Sequence, residues 1–258
     1  NIIKYRTVKT KGKELYQLVF DQSPFYAESG GQVGDSGYIQ SQSDEKINII
    51  NTIKENNLNI HLADRIPAKP EDTFRAVVDG EKRQNTANNH TATHLLHFAL
   101  RQVLGTHIEQ KGSYVSPGYL RFDFSHYEKV SKEHLKEVER IVNRLIRADI
   151  HKVEYRDIDI DQAKGMGAMA LFGEKYGNKV RAIQFGDSME LCGGTHAAST
   201  GNLGMIRITS ESAVAAGIRR IEAVTGAQVE IVLDQVEEQL SAAKEFFDNT
   251  PNLLNSIA

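Results

Sequence analysis

Hydrophobic and polar residues follow three different patterns along the 258 residues, and the changes of pattern divide the chain. Residues 1–78 contain short β-prone runs, such as 74–78, between glycine-rich and proline-rich turns, which predicts a β subdomain. Residues 79–226 mix helical and alternating periods without a regular βαβ rhythm, which indicates an α+β domain with a mainly antiparallel sheet. Residues 227–258 begin with apolar positions spaced by threes and fours, which predicts one amphipathic helix leading into a further domain.

Local patterns predict single elements within the middle part. Apolar residues between Leu95 and Leu104 recur at helical spacing, and Gly105 is a natural helix stop. Ser131 is a suitable N-cap for a second amphipathic helix that runs to about Asp149. Strands are predicted at 119–125, 153–160, 180–185, 203–208 and 218–224.

Composition narrows the class of protein without identifying it. The chain is 40% hydrophobic and 25% charged, and its formal net charge of −3 argues against a surface that is basic throughout. A single cysteine indicates a reducing, cytoplasmic location, and the absence of a long apolar run in the sequence predicts no membrane contact. The first residue is Asn rather than Met, which predicts a piece of a longer protein.

The only cysteine stands in the sequence LCGGTH, where Cys192 and His196 flank two glycines. A second motif, HTATH, places His90 and His94 one helical turn apart on one face, as two ligands of one metal ion require. One thiolate and three imidazoles suit Zn²⁺ best among the common metals. Two alternatives stay open at this point: a cysteine packed as a small hydrophobe beside ordinary histidines, and a metal-free Cys–His nucleophilic pair.

Seven stretches carry a recognisable combination of motifs. They are PFYAESGGQVGD at 24–35, HTATHLLH at 90–97, QKGS at 110–113, LRFDFSH at 120–126, GAMALFGEKYG at 167–177, LCGGTH at 191–196 and AAGIRRIEAVTG at 215–226. Together they resemble the editing region of the alanyl-tRNA synthetase family, over residues 20 to 226, and the segment from Ala227 resembles the start of that family's C-terminal oligomerisation region. The resemblance implies a small N-terminal β-barrel, a two-layer α/β editing domain and a C-terminal helix.

The resemblance also implies a function. It assigns zinc to His90, His94, Cys192 and His196, leaves His97 as a neighbour, and places Gln110 in the editing pocket. The expected reaction is hydrolysis of the ester that joins serine or glycine to the 3′ end of tRNA(Ala). A pocket sized for alanine cannot exclude glycine and rejects an added hydroxyl only about 100-fold, so a second, hydrolytic site is needed.

Further residues are candidates for roles in that reaction. Gln110, Thr93 and Ser113 are candidate catalytic residues, and Gly30, Gly31, Gln32 and Arg219 are candidates for binding the tRNA end. The expected partner is the 3′ end of tRNA(Ala), with neither DNA nor membrane. Homo-oligomerisation would depend on the region that follows Ala227.

Several functional alternatives accompany this expectation. The ATP-dependent domain that ligates alanine to tRNA(Ala) in the parent enzyme would lie upstream, so this chain alone is expected not to charge tRNA. A free-standing alanyl-tRNA editing protein would share the two metal motifs. A tRNA-binding module whose zinc is purely structural would share them as well.

Overall fold

The computed structural model describes residues 1–10, 13–170 and 177–246. Within them, antiparallel sheets and α-helices give a mixed α/β architecture, as the sequence predicts. Two predicted features fall partly outside the described residues, namely the centre of the GAMALFGEKYG motif at 171–176 and the end of the C-terminal helix at 247–258.

The N-terminal part forms one six-stranded antiparallel sheet with the order β1-β2-β5-β4-β3-β6. Its strands are β1 (Ile2–Thr10), β2 (Lys13–Phe20), β3 (Gly37–Ser41), β4 (Lys46–Glu55), β5 (Leu58–Ala63) and β6 (Phe74–Val78). A closed barrel was expected here, and that expectation is wrong for the described residues. Strands β1 and β6 lie at opposite edges of the order, β1 paired to β2 and β6 paired to β3, so the sheet stays open.

The middle part contains two helices packed on a second antiparallel sheet with the order β12-β13-β8-β7. Its elements are α1 (Gly80–Leu104), β7 (Gln110–Val115), β8 (Leu120–Ser125), α2 (Lys132–Arg147), β12 (Ile206–Ala215) and β13 (Ile218–Thr225). Helix α1 begins after Asp79, whose carboxylate accepts from the Lys82 N–H, and Gly105 follows its last turn. The alternating Leu120, Phe122 and Phe124 of β8 are fully buried against the two helices.

A third, three-stranded antiparallel sheet has the order β11-β10-β9. It consists of β9 (Val153–Asp159), β10 (Lys179–Phe185) and β11 (Ser188–Leu191), and the short helix α3 (Ile160–Gly165) follows β9. One sheet was expected over 79–226, whereas the described residues form two. The prediction of a strand over 203–208 is also wrong in its first half, because Thr200–Leu203 is a 3-10 helix and Gly204, with φ of 68°, turns the chain before β12.

The C-terminal helix α4 (Ala227–Phe246) leaves the body of the protein after its first turn. Val229 is buried, but the apolar residues that follow on the same helix, such as Val236 and Leu240, are exposed. None of the described helices combines the length and apolar composition that crossing a bilayer would need.

Candidate metal centre

Four potential metal ligands converge where helix α1 meets the loop that follows β11. His90 and His94 project from one face of α1, with ring centroids 5.2 Å apart, and the loop brings Cys192 and His196 against them. One ligand atom from each of the four residues lies within 4.8 Å of the others. The two segments that the sequence analysis singled out are therefore in contact, as the metal hypothesis requires.

The separations between these atoms fit a tetrahedral ion. Sγ of Cys192 lies 3.4 Å from Nε2 of His90 and 3.3 Å from Nε2 of His196. Tetrahedral zinc with bonds of about 2.3 Å to sulfur and about 2.0–2.1 Å to nitrogen places sulfur and nitrogen about 3.6 Å apart. His94 adds a buried Nδ1 that has no hydrogen-bond partner among the described residues, an orphaned polar atom of the kind that a metal satisfies.

The second glycine of LCGGTH lets the loop approach α1. A Cβ at Gly194 would lie 2.1 Å from Cε1 and 2.4 Å from Nδ1 of His90, which no side chain can occupy. A Cβ at Gly193 would meet nothing within 4 Å. The two glycines thus differ: only Gly194 is required by the close packing of the loop on the histidine.

Gln32 fixes the orientation of His90. Its Oε1 accepts from the backbone N–H of Thr195 at 2.9 Å and lies 2.7 Å from Nδ1 of His90. Because an amide oxygen only accepts, the His90 proton resides on Nδ1 and the Nε2 lone pair faces Cys192. This is the outer support that metal-binding histidines commonly have.

Glu190 and Thr91 support the other two histidines. The buried Glu190 carboxylate lies 3.5 Å from Nε2 of His94 and 2.9 Å from Nδ1 of His97. Oγ1 of Thr91 lies 3.1 Å from Nδ1 of His196. His97 is therefore engaged by Glu190 next to the centre, in keeping with its expected place as a neighbour.

Burial keeps the imidazoles in the form that binds metal. Desolvation lowers the pKa of His90 and His196 well below the ordinary value of 6.5, and the neighbouring histidines add to the effect. The pKa of His94 is also lowered by desolvation, with Glu190 opposing the shift. Neutral imidazole is the ligand form, so the site does not have to lose protons from these rings near neutral pH.

A cavity of about 170 Å³ opens beside the four ligands. Three of the four potential ligands line it, and so do four of the predicted catalytic and tRNA-binding residues: Gly30, Thr93, Gln110 and Ser113. Their polar groups form a short chain, since Nε2 of Gln110 lies 3.4 Å from Oγ of Ser113, which in turn donates to the Gly30 carbonyl at 3.3 Å. The Thr93 hydroxyl donates to the Asn89 carbonyl at 2.8 Å, which leaves its oxygen able to accept a further bond.

The remaining predicted residues lie outside the lining of this cavity. Gly31 packs against Ser113, whose carbonyl oxygen would be 2.4 Å from a Cβ at that glycine. Gln32 is fully buried behind His90. Arg219 forms an ion pair with Glu211, and its partly exposed neighbour Arg220 binds Asp123. The structure thus places Gln32 against His90 and Thr195, and Arg219 in an ion pair outside the described lining of the cavity.

Sequence reasoning missed the supporting roles of Gln32, Glu190 and Thr91. Thr91 lies inside HTATH and Glu190 directly precedes LCGGTH, so proximity to the two motifs is a usable signal for both. Gln32 gives no such signal, because its contacts are made with residues 58 and 163 positions away.

Comparison with known proteins gives two family matches. Residues 180–222 match the family described as threonyl and alanyl tRNA synthetase second additional domain. Residues 3–82 match the family described as tRNA synthetases class II (A). Cys192 and His196 fall within the first match, whereas His90 and His94 lie between the two.

Curated relatives align with almost the whole chain. An alanine-tRNA ligase of Bacteroides fragilis is 58% identical over 253 residues, which is 98% of this chain and 29% of the relative. Alanine-tRNA ligases of Bacteroides thetaiotaomicron and Porphyromonas gingivalis are 57% and 55% identical, covering 98% and 99% of this chain and again 29% of each relative. The chain therefore spans less than a third of the length of these relatives.

Proposed function

Because the chain is homologous over nearly its whole length to one segment of alanine-tRNA ligases, we propose that it is the editing part of such an enzyme. In this proposal it hydrolyses the ester that joins serine or glycine to the 3′ end of tRNA(Ala). Ligation of alanine to tRNA(Ala) with ATP then belongs to the rest of the parent enzyme. Residues 1–78, 79–226 and 227–258 are proposed as its β subdomain, its editing domain and the segment, beginning with α4, that leads toward an oligomerisation region.

The observation that carries the proposal is a small polar cavity beside a four-ligand metal site. A cavity of about 170 Å³ is close in size to the roughly 150 Å³ that holds a benzene molecule. It therefore suits the aminoacyl group of the substrate and is too small for the nucleoside, which would stay outside. Such a division would let the site read the amino acid while the RNA end lies at the entrance.

Zn²⁺ is the ion that the donor set favours, since a thiolate with imidazoles is a common zinc environment. His90, His94, Cys192 and His196 would hold it, and the neutral histidines need no proton release for this. When bound, zinc would supply a Lewis acid that can hold the amino group of the aminoacyl end. A free carboxylate base is not among the described residues that line the cavity, so orientation of the water is assigned to neutral polar groups.

Gln110, Ser113 and Thr93 supply those groups. The Thr93 oxygen, already donating to a carbonyl, can accept a hydrogen bond from the hydroxyl of a bound serine. Gln110 and Ser113 are linked to each other, so a water or substrate hydroxyl that binds there meets both a donor and an acceptor. These roles would distinguish serine from alanine by a hydrogen bond that alanine cannot make.

One other function is favoured by a specific observation. Four protein ligands complete a tetrahedral zinc, which is the pattern of structural sites. Under this alternative the zinc only orders the loop, and the chain binds tRNA without hydrolysing the ester. The same metal content is expected for both functions, so hydrolysis has to be measured separately.

The test uses tRNA(Ala) charged in turn with serine, glycine or alanine, and follows release of the labelled amino acid. We expect the zinc-loaded chain to release serine or glycine well above the uncatalysed rate and to spare alanine. A Thr93→Val variant, which keeps shape but removes the acceptor, should lose more activity toward the seryl ester than toward the glycyl ester. A chain that holds one zinc per molecule and leaves all three esters intact would establish the structural alternative instead.

A further inference from the structure

The loop that carries Cys192 and His196 has a partner on the neighbouring strand. Nη1 of Arg181, on β10, donates to the carbonyl oxygens of Cys192 at 2.9 Å and Gly194 at 2.7 Å. The Arg181 carbonyl accepts from the Cys192 N–H at 3.0 Å. Backbone and side chain of one residue therefore contact the residue before the glycine pair and the second glycine itself.

The guanidinium is itself held in place. Nε of Arg181 donates to Oε1 of Glu154, on β9, at 2.8 Å, and both side chains are largely enclosed, with 26% and 17% exposed. A planar guanidinium fixed at Nε by a carboxylate presents its remaining N–H groups in a defined direction. Here that direction leads to the two loop carbonyls.

A loop with two adjacent glycines needs such an external support. Glycine loses more conformational freedom on ordering than any other residue, so the loop would otherwise sample many conformations in which Cys192 and His196 are apart. A positive guanidinium near a divalent cation is unfavourable for binding that ion. The position of Arg181 is therefore explained by its contacts with the loop, and Glu154 offsets its charge.

We propose that Arg181, oriented by Glu154, is a positioning residue that holds the Cys192–His196 loop in its metal-binding conformation. The inference rests on the proposed metal centre and goes beyond it, since it assigns the order of the loop to a residue that neither binds the ion nor lines the cavity. Removal of the guanidinium should loosen the loop while leaving the helices α1 and α2 folded.

Arg156 provides a matched control. Its Nε donates to the same Glu154 Oε1 at 2.7 Å, but the side chain is 78% exposed. Arg181→Gln and Arg156→Gln therefore remove the same charge from the same carboxylate, and only the first removes donors from the loop. Arg181→Lys keeps the positive charge but loses the planar set of guanidinium N–H donors. It is therefore a milder variant for use if Arg181→Gln folds poorly.

The experiment measures zinc affinity of the 258-residue chain by chelator competition, and hydrogen exchange of the 192–196 amides in the metal-free state. Loss of such an outer support typically weakens binding about 10–100-fold, and we expect this for Arg181→Gln, with faster loop exchange. Arg181→Lys should fall between it and the wild type, and Arg156→Gln should stay within about twofold of the wild type.

Equal affinity and equal loop exchange in the Arg181 and Arg156 variants would overturn this inference while leaving the metal centre intact. A wild-type chain that binds no zinc would overturn the metal centre and the inference together. The two failures are thus told apart by the wild type alone.

Discussion

Gly194→Ala tests the proposed metal centre by adding a single methyl group to the loop that carries Cys192 and His196. The added methyl would lie 2.1 Å from Cε1 of His90 and 2.7 Å from Oε1 of Gln32. Carbon atoms in contact lie about 3.5–4.0 Å apart, so the loop and the ring have to separate by about 1.4 Å. His90 cannot easily retreat, because it is buried and its Nδ1 is bound by Gln32.

The size of the effect follows from the tolerance of metal coordination. Bond lengths in a good site vary by about 0.2 Å, several-fold less than the required displacement. We therefore expect zinc affinity to fall at least about 10–100-fold, which corresponds to about 1.4–2.7 kcal/mol. The stability of the metal-free chain should change less, because the loop is exposed at Gly193 and can move outward.

Chelator competition on Gly194→Ala, Gly193→Ala and the wild type measures this directly. Gly193 is the matched control, since its Cβ would meet nothing within 4 Å and neither glycine has a positive φ that would strain an alanine. Gly193→Ala should bind zinc within about twofold of the wild type if packing alone decides affinity. The reasoning is refuted if Gly194→Ala binds zinc as tightly as Gly193→Ala.

Three other predictions concern the ligands and the fold. Cys192→Ala should reduce bound zinc from one per chain to near zero by elemental analysis and abolish release of serine from seryl-tRNA(Ala); undiminished release would remove zinc from the reaction. Burial lowers the pKa of His61 to about 4, so the unfolded chain takes up its proton first as pH falls below 6.5. Between pH 7 and 4.5, the free energy of unfolding of the metal-free chain in urea should therefore fall by about 2–3 kcal/mol more in the wild type than in His61→Gln. Parallel losses in both proteins would contradict this prediction. Asp35→Asn, which breaks the partly buried ion pair with Arg83, should lower the free energy of unfolding by about 1–3 kcal/mol. As a control, Glu137→Gln, which breaks an exposed ion pair with Arg140, should change it by under about 0.5 kcal/mol.

Elements whose signal is local were predicted closely. The strand at 74–78 has the predicted bounds, Gly105 ends α1, and Ser131 caps α2 by accepting from the His134 N–H. In each case the deciding interaction lies within a few residues of sequence. Alternation, a cap residue or a glycine is enough to specify such an element.

The arrangement of strands into sheets was predicted less well because it depends on distant pairing. Strand β2 pairs with β5, and β4 lies between β5 and β3. The alternation of apolar and polar residues within a strand carries no information about this order. The expectation of a closed barrel and of one sheet over 79–226 failed for this reason. The apolar run at 203–208 was misread because a capping box of Ser199 and Asn202 favours a 3-10 turn at its start.

The four potential metal ligands were predictable as a group because their residue types carry their own signal, whereas the residues that support them are ordinary polar residues. Histidines four apart and a lone cysteine four before a histidine suggest coordination in any fold. Gln32, Glu190 and Arg181 are common residue types whose importance arises only from what they touch. Distance in sequence hid Gln32 in addition, because its partners lie 58 and 163 positions away.

The contacts of Gln32 make the N-terminal part a component of the centre rather than a separate module. The backbone next to Gln32 is hydrogen-bonded to β7, because the Val33 N–H donates to the Val115 carbonyl at 3.0 Å. Its side chain simultaneously accepts from His90 on α1 and from the Thr195 N–H in the loop that carries Cys192 and His196. Because one oxygen serves donors from two other parts of the chain, undocking the N-terminal part would leave both donors unpaired and release the ring orientation of His90. A metal that binds only the assembled centre therefore stabilises that docking as well, by about 2.7 kcal/mol at a free concentration 100 times its dissociation constant.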